Sequence, residues 1–246
     1  MPQKTALIIG GSGGIGSAIV KRLLDEGFYV CATYAHASDR MEALRDELRG
    51  KAVAFYPLDL LDGSGVKAAM RLIRVEHPQL DAVVYGPTLP IVHTPLLESA
   101  WRDFESHIAV QVQGIWQIVQ ALQSQFVAGN PTRFVIILTE YCIGKPPRGL
   151  AAYITAKYAL MGFAKIMSVE LSRYRCTVNM ISPGMVKTDL LSEVPSKLIE
   201  LSSQQNPLHR IAEPNDVAAA AAFLCSEDTS YLNGINIVIN GGQLMI

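Results

Sequence analysis

The chain has no block of five or six like charges, no cysteine pair at CxxC spacing and no run approaching the roughly 20 apolar residues of a membrane span. Its 246 residues carry a formal net charge of -1, so the basic footprint of a nucleic-acid binder is missing and neither nucleic acid nor membrane is expected as a partner. The four cysteines, Cys31, Cys142, Cys176 and Cys225, lie far apart in a chain too large to need a disulfide framework, and a reducing cytoplasm fits them best. The five histidines, His36, His77, His93, His107 and His209, show neither HExxH spacing nor pairing with cysteines. No metal site is therefore expected, and each histidine reads as an isolated surface or core residue.

What is abundant is apolar: half of the residues are hydrophobic and only 17% are charged. That is enough to bury a large core and leave apolar surface for partner subunits, so a homodimer or homotetramer is expected. Thr5–Ile9 is a short apolar run ending in glycine, the pattern of a strand buried on both faces, and too short for a signal-peptide core. Ile15, Ala18, Ile19 and Leu23 then recur at helical spacing before Gly27. The alternation predicts further strands at Phe28–Thr33, Ala52–Tyr56, Asp81–Tyr85, Arg133–Thr139, Thr177–Ile181 and Ile235–Ile239. Helices are predicted near Asp39–Leu48, Ser64–Val75, Trp101–Val110, Ile115–Phe126, Ala151–Arg173 and Asp216–Leu224, with a looser segment up to about Pro207. The alanine run Ala218–Ala222 marks close helix packing. Strictly alternating units imply a single α/β domain over 1–246, a doubly wound seven-stranded parallel sheet, because right-handed crossovers put helices on both faces.

Gly10-Gly11-Ser12-Gly13-Gly14-Ile15-Gly16 lies directly between the first strand and the first helix, where backbone amides and the helix dipole face a pyrophosphate. The spacing of Gly10, Gly14 and Gly16 resembles the short-chain dehydrogenase/reductase family and differs from the GxGxxG of most other Rossmann enzymes. The resemblance runs through Asp59, Tyr153-Ile-Thr-Ala-Lys157, Val178-Asn179-Met-Ile-Ser-Pro183-Gly184, Thr188 and Asn240-Gly241-Gly242. Within the family the chain looks most like 3-oxoacyl-acyl-carrier-protein reductases and related polyketide or fatty-acid ketoreductases. The resemblance implies a Rossmann fold with a cofactor-binding half over about 1–150 and a catalytic and substrate-lid half over about 151–246. It also implies cofactor contacts from Gly10, Ser12, Gly13, Gly14, Ile15, Gly16, Tyr34, His36, Asp59, Leu60, Gly86, Tyr153, Lys157, Pro183, Gly184, Val186 and Thr188.

An acidic residue at the end of the second strand would hydrogen-bond a ribose 2′-hydroxyl and select NAD. Thr33-Tyr34-Ala35-His36-Ala37-Ser38 has none, so NADP(H) is expected over NAD(H), with His36, Ser38 or Arg40 as donors to the 2′-phosphate. Asp59 resembles the family aspartate that accepts from the adenine amino group; a turn or helix-cap aspartate is its other reading.

Tyr153 and Lys157, four residues apart on a helix, project from one face. An ammonium beside the phenol favours phenolate and would bring the tyrosine closer to working pH for proton donation to a carbonyl accepting hydride. By resemblance Lys157 also holds the nicotinamide ribose. The family serine about 13 residues before the tyrosine falls on Glu140 by count, on Thr139 by alignment from the preceding strand, or on Tyr141 with a shorter loop. Thr139 keeps a hydroxyl for the substrate carbonyl. The family asparagine corresponds to Gln111, and the family Asn-Asn-Ala-Gly segment reads Tyr85-Gly86-Pro87-Thr88.

The apolar segment from Val186 to about His209 occupies the position of the family's substrate lid and suits an acyl chain. The expected reaction is NADPH-dependent reduction of a ketone to an alcohol, on a 3-oxoacyl thioester or polyketide-like substrate, as a small molecule or an acyl thioester carried on an acyl carrier protein. Arg148, Arg173 and Arg175 suggest a basic rim for such a carrier. A redox-silent subunit of a hetero-oligomer, or a non-redox isomerase using Glu140 or Tyr141 as base, are the alternatives. By resemblance, the long helix from Ala151 and the tail Asn236–Ile246 form subunit interfaces, and Leu244-Met245-Ile246 suits burial.

Overall fold

Successive residues of a strand face opposite sides of its sheet, so a strand apolar at every position needs a helical layer on each side. The structure, a computed structural model, describes residues 3–192 and 194–245 and builds both layers. Strands β1 (Thr5–Ile9), β2 (Tyr29–Tyr34), β3 (Val53–Pro57), β4 (Ala82–Tyr85), β5 (Arg133–Ile137), β6 (Thr177–Pro183) and β7 (Asn236–Ile239) form one sheet. Its order is β3-β2-β1-β4-β5-β6-β7, and all neighbouring pairs are parallel. The expected doubly wound seven-stranded sheet is what forms.

The helices are α1 (Gly14–Asp25), α2 (Asp39–Glu47), α3 (Gly63–Glu76), α4 (Trp101–Ile108), α5 (Gly114–Ala121), α6 (Gln123–Val127), α7 (Ala151–Glu170), α8 (Ser196–Gln205) and α9 (Pro214–Cys225). Leu7 and Ile9 enter one core with Phe134, Ile136 and Met180, under Met70 of α3, Ile118 of α5 and Leu160 of α7. Ala6 and Ile8 enter the other, with Val135 and Ile181, under Ile19 of α1, Leu44 of α2 and Ala218 of α9. The alanine run brings α9 close against α1, with Ala218, Ala221 and Ala222 buried and Ala219 exposed.

Several elements depart from the sequence reading, among them the helix expected over Ile115–Phe126, which breaks at Leu122 into α5 and α6. β5 stops at Ile137, short of Thr139; the Ile137 carbonyl accepts from Lys157 Nζ at 2.7 Å. α7 stops at Glu170, short of Arg173, and the chain tightens into a 3-10 turn at Ser172–Tyr174 ending on Arg175 with φ 61°. The segment expected to be loose carries α8 and a 3-10 turn at Asp189–Leu191. In the tail Met245 is exposed in the single chain, and Ile246 lies outside the described residues.

Between α4 and α5, Ala109–Gln113 form a wide π-helical turn. Its cause lies on the sheet. The buried Tyr85 hydroxyl at the end of β4 donates to the Val110 carbonyl, and a Cβ on Gly114 would stand 2.2 Å from that hydroxyl oxygen. Only glycine admits the phenol there, and the phenol satisfies a carbonyl inside the widened turn. Tyr85→Phe will leave the Val110 oxygen buried without a donor and lower stability by about 1–3 kcal/mol. Urea denaturation will show a reduced midpoint with an unchanged slope.

Candidate active site

The strand order reverses between β1 and β4, and the crevice outside their carboxyl ends is where open α/β sheets bind ligands. The glycine-rich turn occupies that edge. Gly10 adopts φ +83°, its N–H donates to Thr33 Oγ1 at 3.2 Å, and Gly11 N–H donates to the Thr33 carbonyl at 2.8 Å. A Cβ on Gly16 would stand 2.1 Å from the Gly10 carbonyl oxygen, so the turn closes only around glycine. α1 begins after Gly13 with no side-chain cap and no acidic residue in its first turn. Its free amides, near Ser12, Gly14 and Ile15, leave a cradle suited to an anion, which fits the pyrophosphate of a dinucleotide.

Residues from five strand ends gather along the same edge: Tyr34, Asp59, Gly86, Thr139, and Pro183 with Gly184. Asp59 accepts from Leu61 N–H at 2.9 Å, and it is Asp62, not Asp59, that caps α3. The Leu60 and Val186 side chains belong to the two cores, so only their backbones face the cleft region. His36 is exposed, and the Ser38 hydroxyl is engaged as the cap of α2, accepting from Met41 N–H. Arg40, by contrast, reaches the glycine turn: its Nη2 lies 3.3 Å from where a Gly14 Cβ would be, and its guanidinium pairs with Asp189. Thr188 rests on Gly14, with Cγ2 2.5 Å from the same Cβ position.

Tyr153 and Lys157 sit together as their spacing predicts, with Lys157 Nζ 5.9 Å from the Tyr153 ring centroid. The Thr139 hydroxyl accepts from Tyr141 N–H at 3.4 Å and stands near enough to the phenol to draw its pKa down. Glu140 does not face this pair: its carboxylate accepts from Asn240 Nδ2 at 3.1 Å, and its other oxygen packs by Gly184. Gln111, fully buried on the π-helical turn, donates from Nε2 to Thr88 Oγ1 at 3.2 Å. The altered Gly86-Pro87-Thr88 segment and Gln111 are thus joined by one hydrogen bond.

The ionisation of the pair differs from the sequence expectation. Burial pushes the Tyr153 phenol well above its usual value, against the pull of the nearby Thr139 hydroxyl, and no phenolate is favoured. The same burial lowers Lys157 from 10.5 to about 8. The ammonium therefore stays mostly charged at neutral pH, yet its field does not offset the burial of the phenol. A protonated phenol is nevertheless the form an acid needs.

Arg173 and Arg175 form no basic rim. Arg173 lies on the Tyr174 ring and Arg175 donates to the Gly129 carbonyl, both between α7 and the start of β6, at the sheet edge opposite the site. Among the described residues no cluster of metal-ligating side chains occurs, and no helix is long and apolar enough to cross a membrane. A cavity of about 380 Å³ opens beside Tyr153, walled by Leu89, Pro90, Val92 and Leu150 and carrying His107. The sequence reading treated that histidine as isolated. The signal that could have found it is its spacing, one helical turn before Gln111.

Because Lys157 binds its proton less tightly folded than unfolded, the unfolded chain holds more protons between about pH 8 and 10.5. Lys157 therefore destabilises the nucleotide-free protein fully below pH 8, and that cost fades as pH rises to 10.5. Lys157→Met will raise the melting temperature at pH 7, and melts at increasing pH will show its advantage over wild type shrinking.

The family model described as enoyl-(acyl carrier protein) reductase matches residues 10–243. The 3-oxoacyl-[acyl-carrier-protein] reductase FabG of Staphylococcus epidermidis is 29% identical over 99% of this chain and 100% of its own length. Oxidoreductase UcpA of Salmonella typhimurium is 30% identical over 98% of this chain and 95% of its own. Among solved structures, a Serratia marcescens short-chain dehydrogenase/reductase superposes with TM-score 0.88 at 29% identity, covering 98% of this chain and 97% of that one. YwfH, an NADPH-dependent reductase involved in bacilysin biosynthesis, shares the fold with TM-score 0.89 at 22% identity over 99% of each chain. The phosphate cradle, the Tyr153–Lys157 pair at the carboxyl edge and a family match covering nearly the whole chain converge: the chain belongs to the short-chain dehydrogenase/reductase family and is an oxidoreductase of that family using a nicotinamide cofactor.

Proposed function

We propose that the protein reduces a ketone with NADPH, and that its substrate is a 3-oxoacyl thioester or a closely related ketone. The observation that carries the reading is the Tyr153 phenol, held protonated by burial, with the Thr139 hydroxyl near it and the cavity at the carboxyl edge opening beside it. The full-length similarity to 3-oxoacyl-[acyl-carrier-protein] reductases supports the substrate class. Enoyl reductases of related fold place their tyrosine seven residues before the lysine; that position here is the buried Leu150, which supports carbonyl reduction.

The nicotinamide supplies the hydride that reaches the carbonyl carbon. Tyr153 gives its proton to the carbonyl oxygen as negative charge develops there, and Thr139 donates a hydrogen bond to the same oxygen. Lys157, fixed by the Ile137 carbonyl, would hold the nicotinamide ribose of a bound cofactor and return a proton to Tyr153. Glycines at 10, 14 and 16 hold the pyrophosphate, Asp59 the adenine, and Pro183-Gly184 and Thr188 the nicotinamide side. Arg40, beside Gly14, takes the 2′-phosphate in exchange for Asp189 and so favours NADP(H). Exposed apolar residues on α7 (Tyr158, Ile166, Val169), with Trp116 on α5, suit a homodimer or homotetramer interface.

Wild type will oxidise NADPH with a short 3-oxoacyl thioester, followed by the ultraviolet absorbance of the reduced nicotinamide. Tyr153→Phe will lower kcat by about 10²–10⁴-fold. Arg40→Ala will raise KM for NADPH about tenfold and leave KM for NADH unchanged. NADPH binding without turnover on any ketone would contradict the reading.

A further inference from the structure

His107 is not among the residues that the reductase reading uses, yet it stands in the same cavity as the acid. Its ring meets the Tyr153 ring edge-on, with centroids 6.0 Å apart. The residue is only 8% exposed, and its Nδ1 is buried with no hydrogen-bond partner among the described residues. One turn further along the same helix face, the Gln111 Oε1 is buried without a partner as well. Orphaned polar atoms of this kind are costly in a folded interior and mark a place where a ligand or water supplies the missing bond. Most other polar side chains of the cavity are engaged: Ser99 and Ser106 donate to the Leu96 and Arg102 carbonyls, and Asp103 accepts from Ala100 N–H at 3.3 Å, which leaves the Thr94 hydroxyl as the other polar group of the wall.

The imidazole is held neutral. Burial lowers its pKa, the nearby Lys157 lowers it further, and Asp103 from one turn earlier opposes both. A neutral imidazole has one N–H donor and one acceptor, so it recognises a polar group on an uncharged ligand without demanding a counter-charge.

We infer that His107 is a substrate-positioning residue that hydrogen-bonds a second oxygen of the ketone, so that the cavity selects ketones bearing another oxygen one methylene away from the reacting carbonyl. This rests on the ketone-reducing role of Tyr153. A ketone held only at its carbonyl oxygen, by Tyr153 and Thr139, can still swing about that oxygen. A second bond to a ring 6.0 Å away fixes which face of the carbonyl meets the cofactor. The thioester carbonyl of a 3-oxoacyl thioester is an oxygen of this kind.

The test compares two substrates of equal length: a 3-oxobutanoyl thioester of N-acetylcysteamine, and the thioether in which a methylene replaces the thioester carbonyl. His107→Phe keeps the ring and removes the polar atoms. It will lower kcat/KM for the thioester roughly tenfold and leave the thioether within about twofold of wild type, while His107→Asn will recover part of the thioester rate. Equal losses on both substrates, or no loss on either, would overturn the inference and leave His107 a packing residue. Should wild type reduce neither compound, the ketoreductase reading fails on its own. Calorimetric titration of nucleotide-free protein with the same thioester then decides the role of His107: binding about tenfold weaker in His107→Phe supports it, and equal or absent binding overturns it.

Discussion

A lysine with its ammonium out of water is a costly group in any fold, and the site depends on Lys157 being held in that condition. Its Nζ donates to the Ile137 carbonyl, the last residue of β5, and β5 ends there. Ending β5 early frees Thr139 from the sheet ladder and leaves its hydroxyl beside Tyr153. One hydrogen bond thus fixes the lysine at the carboxyl end of β5, next to the Thr139 hydroxyl. The burial that makes the lysine costly also keeps the phenol protonated, so a single low-dielectric environment sets both ionisation states.

A second chain of contacts ties the two sides of the cleft. Tyr85, at the end of β4, inserts its hydroxyl into the helix that follows and stabilises the π-helical turn. That turn carries Gln111, whose amide reaches back to Thr88 just beyond the same strand. The strand, the widened turn and the cleft-side loop therefore form a closed circuit. His107 lies one turn before Gln111 and itself lines the cavity beside Tyr153, so the circuit also sets where the imidazole stands relative to that ring.

Much of this was legible in the sequence because it depends on local spacing. Alternating apolar runs gave the seven strands, and the glycine spacing placed the phosphate cradle. The Tyr153–Lys157 spacing put both side chains on one face. What was not legible depends on contacts between distant segments. The Ile137 carbonyl at the end of β5 is taken by a lysine 20 residues away. Arg40 reaches the glycine turn only because α2 and the lid converge there, and the phenol's raised pKa reflects burial that no spacing reveals. Arg173 and Arg175, adjacent in sequence to the catalytic helix, lie at the far edge of the sheet because twenty residues of helix carry the chain across it.

The account centres on hydride delivery to a ketone carbonyl with Tyr153 as the acid. The most direct measurement is mass spectrometry of the product formed from a short 3-oxoacyl thioester and NADPH deuterated at the transferring position of the nicotinamide. The account predicts a 3-hydroxyacyl thioester carrying one deuterium on its carbinol carbon. A product without deuterium, or formed without consumption of NADPH, would contradict it.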